Sequence, residues 1–369
     1  MGQINQVIRG DAIGGAGIGW VAALLACLVG LSMGIATGQA GTLMVVDPAA
    51  EQVSFIDTES GKIRHRAATG KGPRDIAVSS DGALALVANF GDMAQPGSSL
   101  TVLDVARGEA LGNIDLAPHS RPFAVRWLPG EMQAVVSVQG EKMLARVDVA
   151  GRKLLPALGD SAASERQLAL SNDGRYAFVG DPAGGPLTRI DLSSGREAGT
   201  SKQVAEAQSI ALSPDGELLW VTDRGADLVH VLQSDDLSAV VSLVAGNMPM
   251  GVALTPNGRY AMISNALSAD VIIFNTRSYE QAKLISTRTA SAEEALEAMT
   301  GEELFTGTRL GHISIPVGLV PAEDGLSVYV MNNFSGEIVQ YDIFTGVPIR
   351  SFQGSRAPGG MAYSPLTGP

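Results

Sequence analysis

The chain has 369 residues, of which 45% are hydrophobic and only 5% aromatic, with 44 glycines, 18 prolines and a formal net charge of −12. That acidity counts against a nucleic-acid binder, which would present a basic patch or stripe to phosphates. Length alone suggests two or three domains, but repetitive all-β folds overrun that guide as single units.

Residues 1–40 differ from the rest. A polar start holding Arg9 leads into an uncharged apolar run, Ile13 to Ala36, and then "TGQA" ending at Ala40. A positive start, an apolar centre and a small-residue exit describe a secretory signal peptide. The run is also long enough to cross a bilayer as an uncleaved anchor, the second alternative. A third is lipidation of Cys27, the sole cysteine, where "LLAC" resembles a bacterial lipobox, although the residues after it stay apolar, unlike a lipoprotein tether. All three place the remainder outside the cytoplasm: periplasmic, secreted, or anchored to the inner membrane and facing outward. Membrane contact is expected only through this segment. A chain cut after Ala40 has no cysteine, which excludes disulfides, thiolate nucleophiles, cysteine-ligated metals and Cys-x-x-Cys-His haem attachment.

From residue 41 the chain repeats itself. "SIALSPDGELLWVTD", from Ser209, and "GVALTPNGRYAMISN", from Gly251, align without a gap at an offset of 42. Three strand patterns recur. The first is an apolar run ending in Asp-Gly or Asn-Gly, as at Gly82, Gly174, Gly216, Gly258 and Gly325, and the pairs predict two-residue hairpins. The second ends in Asn or Asp: "MVVD", "LVAN", "FVGD", "WVTD", "MISN", "YVMN". The third closes at Asp57, Asp104, Asp148, Asp191, Gln233, Asn275 and Asp342, seven copies spaced 42 to 47 residues apart except for a last gap of 67. Four short strands per 40 to 45 residues predict propeller blades. The first repeat lacks its leading strand, and "GGMAYSPLTG" (Gly359 to Gly368) has no repeat behind it. The C-terminal strand is therefore expected to complete blade one and remove an exposed sheet edge. The aspartates ending the third pattern are expected to cap turns through backbone N–H groups.

"LVAN", "WVTD" and "YVMN", each preceded by an "SPDG"-like turn, resemble the YVTN family of β-propeller repeats over roughly residues 41–369. The resemblance implies a single seven-bladed β-propeller in a bacterial, extracytoplasmic setting. Relatives by fold include lactonase-type propellers and propeller subunits of periplasmic redox enzymes, so the resemblance leaves function open.

The fold so implied gathers the connections that lead into the innermost strands at one mouth of a central channel. His119 and His312 lie in such connections, whereas His230 sits in the strand "LVHVLQ" as a structural residue and His65 on a solvated outer face. Arg74, Arg121, Arg166 and Arg356 occupy four of the seven lead-in segments, which predicts a cationic mouth that collects anions, with Asp75 and Glu165 as neighbours able to offset it. About 25 extra residues in the long gap contain "SAEEALEAM" and "TGEE", both capping boxes, and predict a short helical insertion at about 286–312, as a lid, a docking surface or decoration. "GEELFTG" resembles the opening of c-type cytochrome domains, but no haem-attachment motif follows. A Gly-x-Ser-x-Gly elbow, a His-Glu-x-x-His and a Walker loop are all missing. The expectation is a binding module without cofactor or metal, docking a small anionic ligand or a protein partner and no nucleic acid. The alternatives are a lactonase-like hydrolase or isomerase, and an accessory subunit of a periplasmic redox system.

Overall fold

The computed structural model describes residues 40–156, 167–288, 314–355 and 357–367. The apolar leader, the expected helical insertion, Cys27, Arg166, His312 and Arg356 lie outside those residues. Blade one holds β1 (Thr42–Asp47), β2 (Gln52–Asp57) and β3 (Ile63–Ala68). Blade two is β4 (Pro73–Val78), β5 (Leu84–Gly91), β6 (Pro96–Asp104) and β7 (Glu109–Asp115). Blade three is β8 (Pro122–Trp127), β9 (Gln133–Val138), β10 (Met143–Asp148) and the two-residue β11 (Lys153–Leu154). Blade four is β12 (Gln167–Leu170), β13 (Tyr176–Gly180), β14 (Leu187–Asp191) and β15 (Arg196–Ser201). Blade five is β16 (Ala207–Leu212), β17 (Leu218–Asp223), β18 (Leu228–Gln233) and β19 (Ala239–Val244). Blade six is β20 (Pro249–Leu254), β21 (Tyr260–Asn265), β22 (Asp270–Asn275) and β23 (Gln281–Ser286). Blade seven is β24 (Ser314–Pro321), β25 (Ser327–Phe334), β26 (Glu337–Asp342) and β27 (Pro348–Gln353), and β28 (Met361–Ser364) follows. Each sheet is antiparallel and four-stranded, and the seven stand in a ring, a seven-bladed β-propeller.

As the sequence predicts, β28 is the innermost strand of blade one. It pairs with β1 from Thr42↔Ser364 to Val45↔Met361, and Gly359 and Gly360 extend the ladder to Val46. Buried Ser364 also donates to the carbonyl of Gly82 in blade two at 2.8 Å, and Thr42 Oγ1 donates to Leu366 O at 2.7 Å. The hydrophobic core is divided into seven clusters, each formed where two consecutive blades face one another. Leu86, Leu100 and Ile114 of blade two meet Val125 and Val136 of blade three, for example. The last cluster joins Tyr329 and Met331 of blade seven to Leu43, Val45 and Ile56 of blade one. No blade buries its two faces alone.

The Asp-Gly turns correct one expectation. Among Ser79–Gly82 only Gly82 has positive φ, +76°, so the pair is not a two-residue hairpin with both centres left-handed. Instead Gly82 N donates to Ser79 O, Ser79 Oγ donates to Asp81 and accepts from Leu84 N, and Asp81 accepts from Ala83 N. Ser171, Ser213 and Thr255 repeat the arrangement with Asp173, Asp215 and Asn257. The hydroxyl two residues before the acid supplies a cross-link that a shorter turn has no room for. The aspartates closing the third strands cap turns as expected: Asp104 accepts from Arg107 N, Asp191 from Ser193 N and Ser194 N, Asp342 from Phe344 N and Thr345 N.

Two outcomes follow. Deleting residues 359–369 should leave a soluble, cooperatively folded ring unattainable, seen as aggregation or a melting temperature many degrees lower. The milder Ser364→Ala, which orphans a buried carbonyl, should cost about 1–2 kcal/mol by urea denaturation. Hydrogen bonds from serine hydroxyls, the largest cause in each case, hold the carboxyls of Asp81, Asp173, Asp215 and Asp191 below the ordinary aspartate value of 3.8, Asp191 at about 2. With folded pKa below unfolded, the unfolded chain binds more protons between the two values. Stability should therefore be level above about pH 4 and fall as pH drops toward 2, and Asp191→Asn should flatten that fall in thermal melts across pH 2–6.

Candidate functional site

The innermost strands do not run smoothly into the channel. Register shifts lie between Pro73 and Asp75, Pro122 and Ala124, Ala207 and Ser209, Pro249 and Gly251, and Pro316 and Gly318. Each is a β-bulge that leaves one residue unpaired: Arg74, Phe123, Gln208, Met250 and Val317. In a regular strand neighbouring side chains point to opposite faces, and a bulge breaks that alternation and re-aims a side chain. All five bulged residues line a cavity of about 620 Å³ at the lead-in end of the channel, and so do the residues that follow them, Asp75 and Ser209 among them. Four of the five bulges start at a proline, which has no N–H to lose from the ladder.

Arg74 lies with its guanidinium carbon 4.1 Å from the Phe123 ring centre and 5.4 Å from that of Phe90. Those rings pack edge to face at 5.9 Å. Arg121 approaches Phe90 as well, at 5.2 Å. Two of the sequence-proposed arginines are thus brought to one aromatic pair, in contacts worth about 0.5–2 kcal/mol each depending on desolvation. They are not equivalent in register, however. Arg121 occupies the column of Gly72, two residues before the bulge, with a left-handed φ of +59°. Its backbone is fixed there by bonds from its N–H to Gly97 O and from Gln139 N to its carbonyl. His119 is not among the residues lining the cavity. It turns toward Glu141, with Nδ1 3.9 Å from Oε2, while Glu141 accepts from Ser120 N and Oγ. His230 is buried, Nδ1 2.8 Å from Ser242 Oγ and Nε2 3.5 Å from Asp223, and burial holds its pKa below 6.5 against the pull of that carboxylate.

Asp75 is the one carboxylate among the described residues lining the cavity. Its Oδ2 accepts from Val125 N at 3.0 Å and Arg126 Nη1 at 2.6 Å, so blade three ties it down and its charge is offset by Arg126 rather than by Arg74. Arg126 also borders a second cavity, of about 520 Å³, at the turn end of the inner strands beside Trp127. Among the described residues no group of three His, Cys, Asp or Glu is placed to hold a metal ion.

A ring of seven four-stranded blades with a polar, bulge-lined mouth defines a class of seven-bladed propellers. The chain belongs to the lactonase seven-bladed β-propeller family, whose model matches residues 155–347. It is 24% identical over 136 residues to antigen Lp49 of Leptospira interrogans, covering 33% of this chain and 30% of that protein. It is 24% identical over 134 residues to a 6-phosphogluconolactonase of Formosa agariphila, covering 32% of this chain and 38% of that one. The matched stretch thus spans about a third of the length of either relative. A crystal structure of a functionally unknown protein from Desulfotomaculum acetoxidans shares the fold, with a TM-score of 0.67 at 15% identity, over 88% of this chain and 98% of that one.

The Arg126–Asp75 pair is partly exposed, so it adds modestly to stability. Arg126→Met should cost about 1 kcal/mol or less in chemical denaturation, because Asp75 keeps its bond from Val125 N. A loss several times larger would show that the pair closes the channel wall.

Proposed function

We propose that the protein is a binding module that captures a small carboxylate- or phosphate-bearing ligand at the channel mouth, outside the cytoplasm. The observation that carries this reading is Arg74 on the Phe90–Phe123 pair in the cavity wall, with Arg121, outside the lining, reaching the same Phe90 ring. Both guanidinium groups lie within 5.4 Å of the centre of one ring, that of Phe90. Guanidinium also binds carboxylate and phosphate through paired N–H bonds. The cavity volume suits a small molecule. The extracytoplasmic site is supported by the uncharged run Ile13 to Ala36 behind Arg9.

A second reading, hydrolysis of a lactone at the same mouth, is favoured by the family match and by the 6-phosphogluconolactonase relative. Against it, the described lining offers one carboxylate, and that group is held by two donors.

Arg74→Gln combined with Arg121→Gln should weaken binding of inorganic phosphate and of small carboxylates by tenfold or more in calorimetric titration, with the melting temperature nearly unchanged. The control is Arg107→Gln with Arg152→Gln, on outer turns of blades two and three. Equal weakening by the control pair would reduce the effect to general charge. Turnover of a lactone by the wild type, lost in the mouth variant, would replace the binding reading with the hydrolytic one.

A further inference from the structure

Away from the channel, three strands of blade five bring an aspartate, a histidine and a serine together on one face. Asp223 ends β17, His230 stands in β18, and Ser242 lies in the outer strand β19, directly opposite His230 in the register. Facing residues of an antiparallel pair share a face of the sheet, and Ser242 Oγ is 2.8 Å from His230 Nδ1. On the far side of the ring, Nε2 is 3.5 Å from Asp223 Oδ2 and has no other partner among the described residues. The acid and the ring are buried, whereas Ser242 is exposed. Two backbone donors fix the carboxylate, Ala205 N at 2.8 Å from Oδ2 and Ala226 N at 3.3 Å from Oδ1.

A carboxylate beside Nε2 selects the tautomer that carries its proton there. Nδ1 is then an acceptor, and the Ser242 hydroxyl donates to it. Burial, which holds the ring's pKa below 6.5, keeps that acceptor unprotonated at neutral pH. A serine–histidine contact that only fills the sheet needs neither an oriented acid behind the ring nor an exposed hydroxyl in front of it. Gln203, in the connection between β15 and β16, reaches the same Oγ with Nε2 at 3.1 Å, an amide donor beside the hydroxyl oxygen. Val244, two residues on from Ser242 and on the same face, is 76% exposed and leaves an apolar platform next to the hydroxyl.

We infer that Ser242, His230 and Asp223 form a hydrolytic site on the rim of blade five, acting on open-chain esters of short apolar acids. Ser242 Oγ attacks the acyl carbon as its proton passes to His230 Nδ1. Asp223, a positioning residue, steadies the imidazolium, and Gln203 Nε2 donates to the carbonyl oxygen as it gains charge. The bond to the alcohol oxygen breaks, and the alcohol leaves with the proton from Nδ1. Water then gives a proton to Nδ1 and attacks the acyl carbon. The bond to Ser242 Oγ breaks, and Oγ takes that proton back as the acid is released.

The test uses the full-length protein with p-nitrophenyl butyrate and with a fluorophosphonate, which forms an Oγ–P bond at an activated serine and expels fluoride. Peptide mass mapping should find the phosphonate on Ser242 at a rate at least tenfold above that on Ser238, an exposed serine in the turn leading into β19. Ser242→Ala should lower p-nitrophenol release tenfold or more with an unchanged melting temperature, and Ser238→Ala should leave the rate as it was. Asp223→Asn, which sets an amide against Nε2, should lower kcat with little change in KM; a retained kcat would overturn the part given to Asp223. Should that variant fail to fold, labelling of the wild type still decides. Equal labelling of the two serines, release no faster than in buffer, or a rate kept by Ser242→Ala would overturn the inference. None of these readouts involves phosphate binding at the mouth, so the anion-binding reading stands or falls separately.

Discussion

The pairing of β28 with β1 is the constraint on which the rest of this molecule depends. Every hydrophobic cluster lies between two blades, so each blade borrows half of its burial from each neighbour. An open stack of seven blades would leave two apolar faces in water and two inner edges unpaired. Joining the last strand to the first blade makes the stack a ring, and this creates the seventh cluster, around Tyr329, Leu43 and Val45. The channel is a by-product of that closure. Its wall is made of strand edges and lead-in turns whose positions are fixed by packing elsewhere. The cavity is thus built on rigid strands, with its side chains held before any ligand arrives.

Closure places the inner strands, and bulges decide what they show. The same defect recurs at both sides of most blades. On the inner strands it turns Arg74, Phe123, Gln208, Met250 and Val317 toward the channel. On the outer strands, register shifts recur opposite Phe55/Ile56, Val231/Leu232, Ile273/Phe274 and Gln340/Tyr341. There a bulge twists an unpaired edge away from a second chain, a device edge strands use against aggregation. One local irregularity thus sets which side chains face the axis and blunts the unpaired edges at the rim.

The ring, its blade count and its closure were legible in the sequence because repetition and a missing strand are counted, not weighed. The turn-capping aspartates were legible because an Asx turn is local. The site was legible only in part. Arg74 was found, but Phe90, Phe123 and Asp75 were not assembled around it, since strand alternation puts neighbours on opposite faces and a bulge breaks that rule. Position within the lead-in segments groups Arg121 with Arg74, whereas its register partner is Gly72. A signal was available: prolines at 73, 122, 249 and 316 mark the column where pairing is about to slip.

Charge adds a final argument about how such a mouth would work. A chain of net −12 does not draw anions from a distance. At physiological ionic strength the field of exposed charges fades within about 8 Å, so what an approaching anion meets is local. Near the mouth, Arg126 is spent on Asp75, whereas Arg74 and Arg121 rest on aromatic rings. The cluster's attraction is therefore short-ranged and depends on contact geometry more than on net charge. A site of that kind gains little in association rate. Under the binding reading proposed above, discrimination would come through dissociation, from the match of a ligand's groups to the contact geometry.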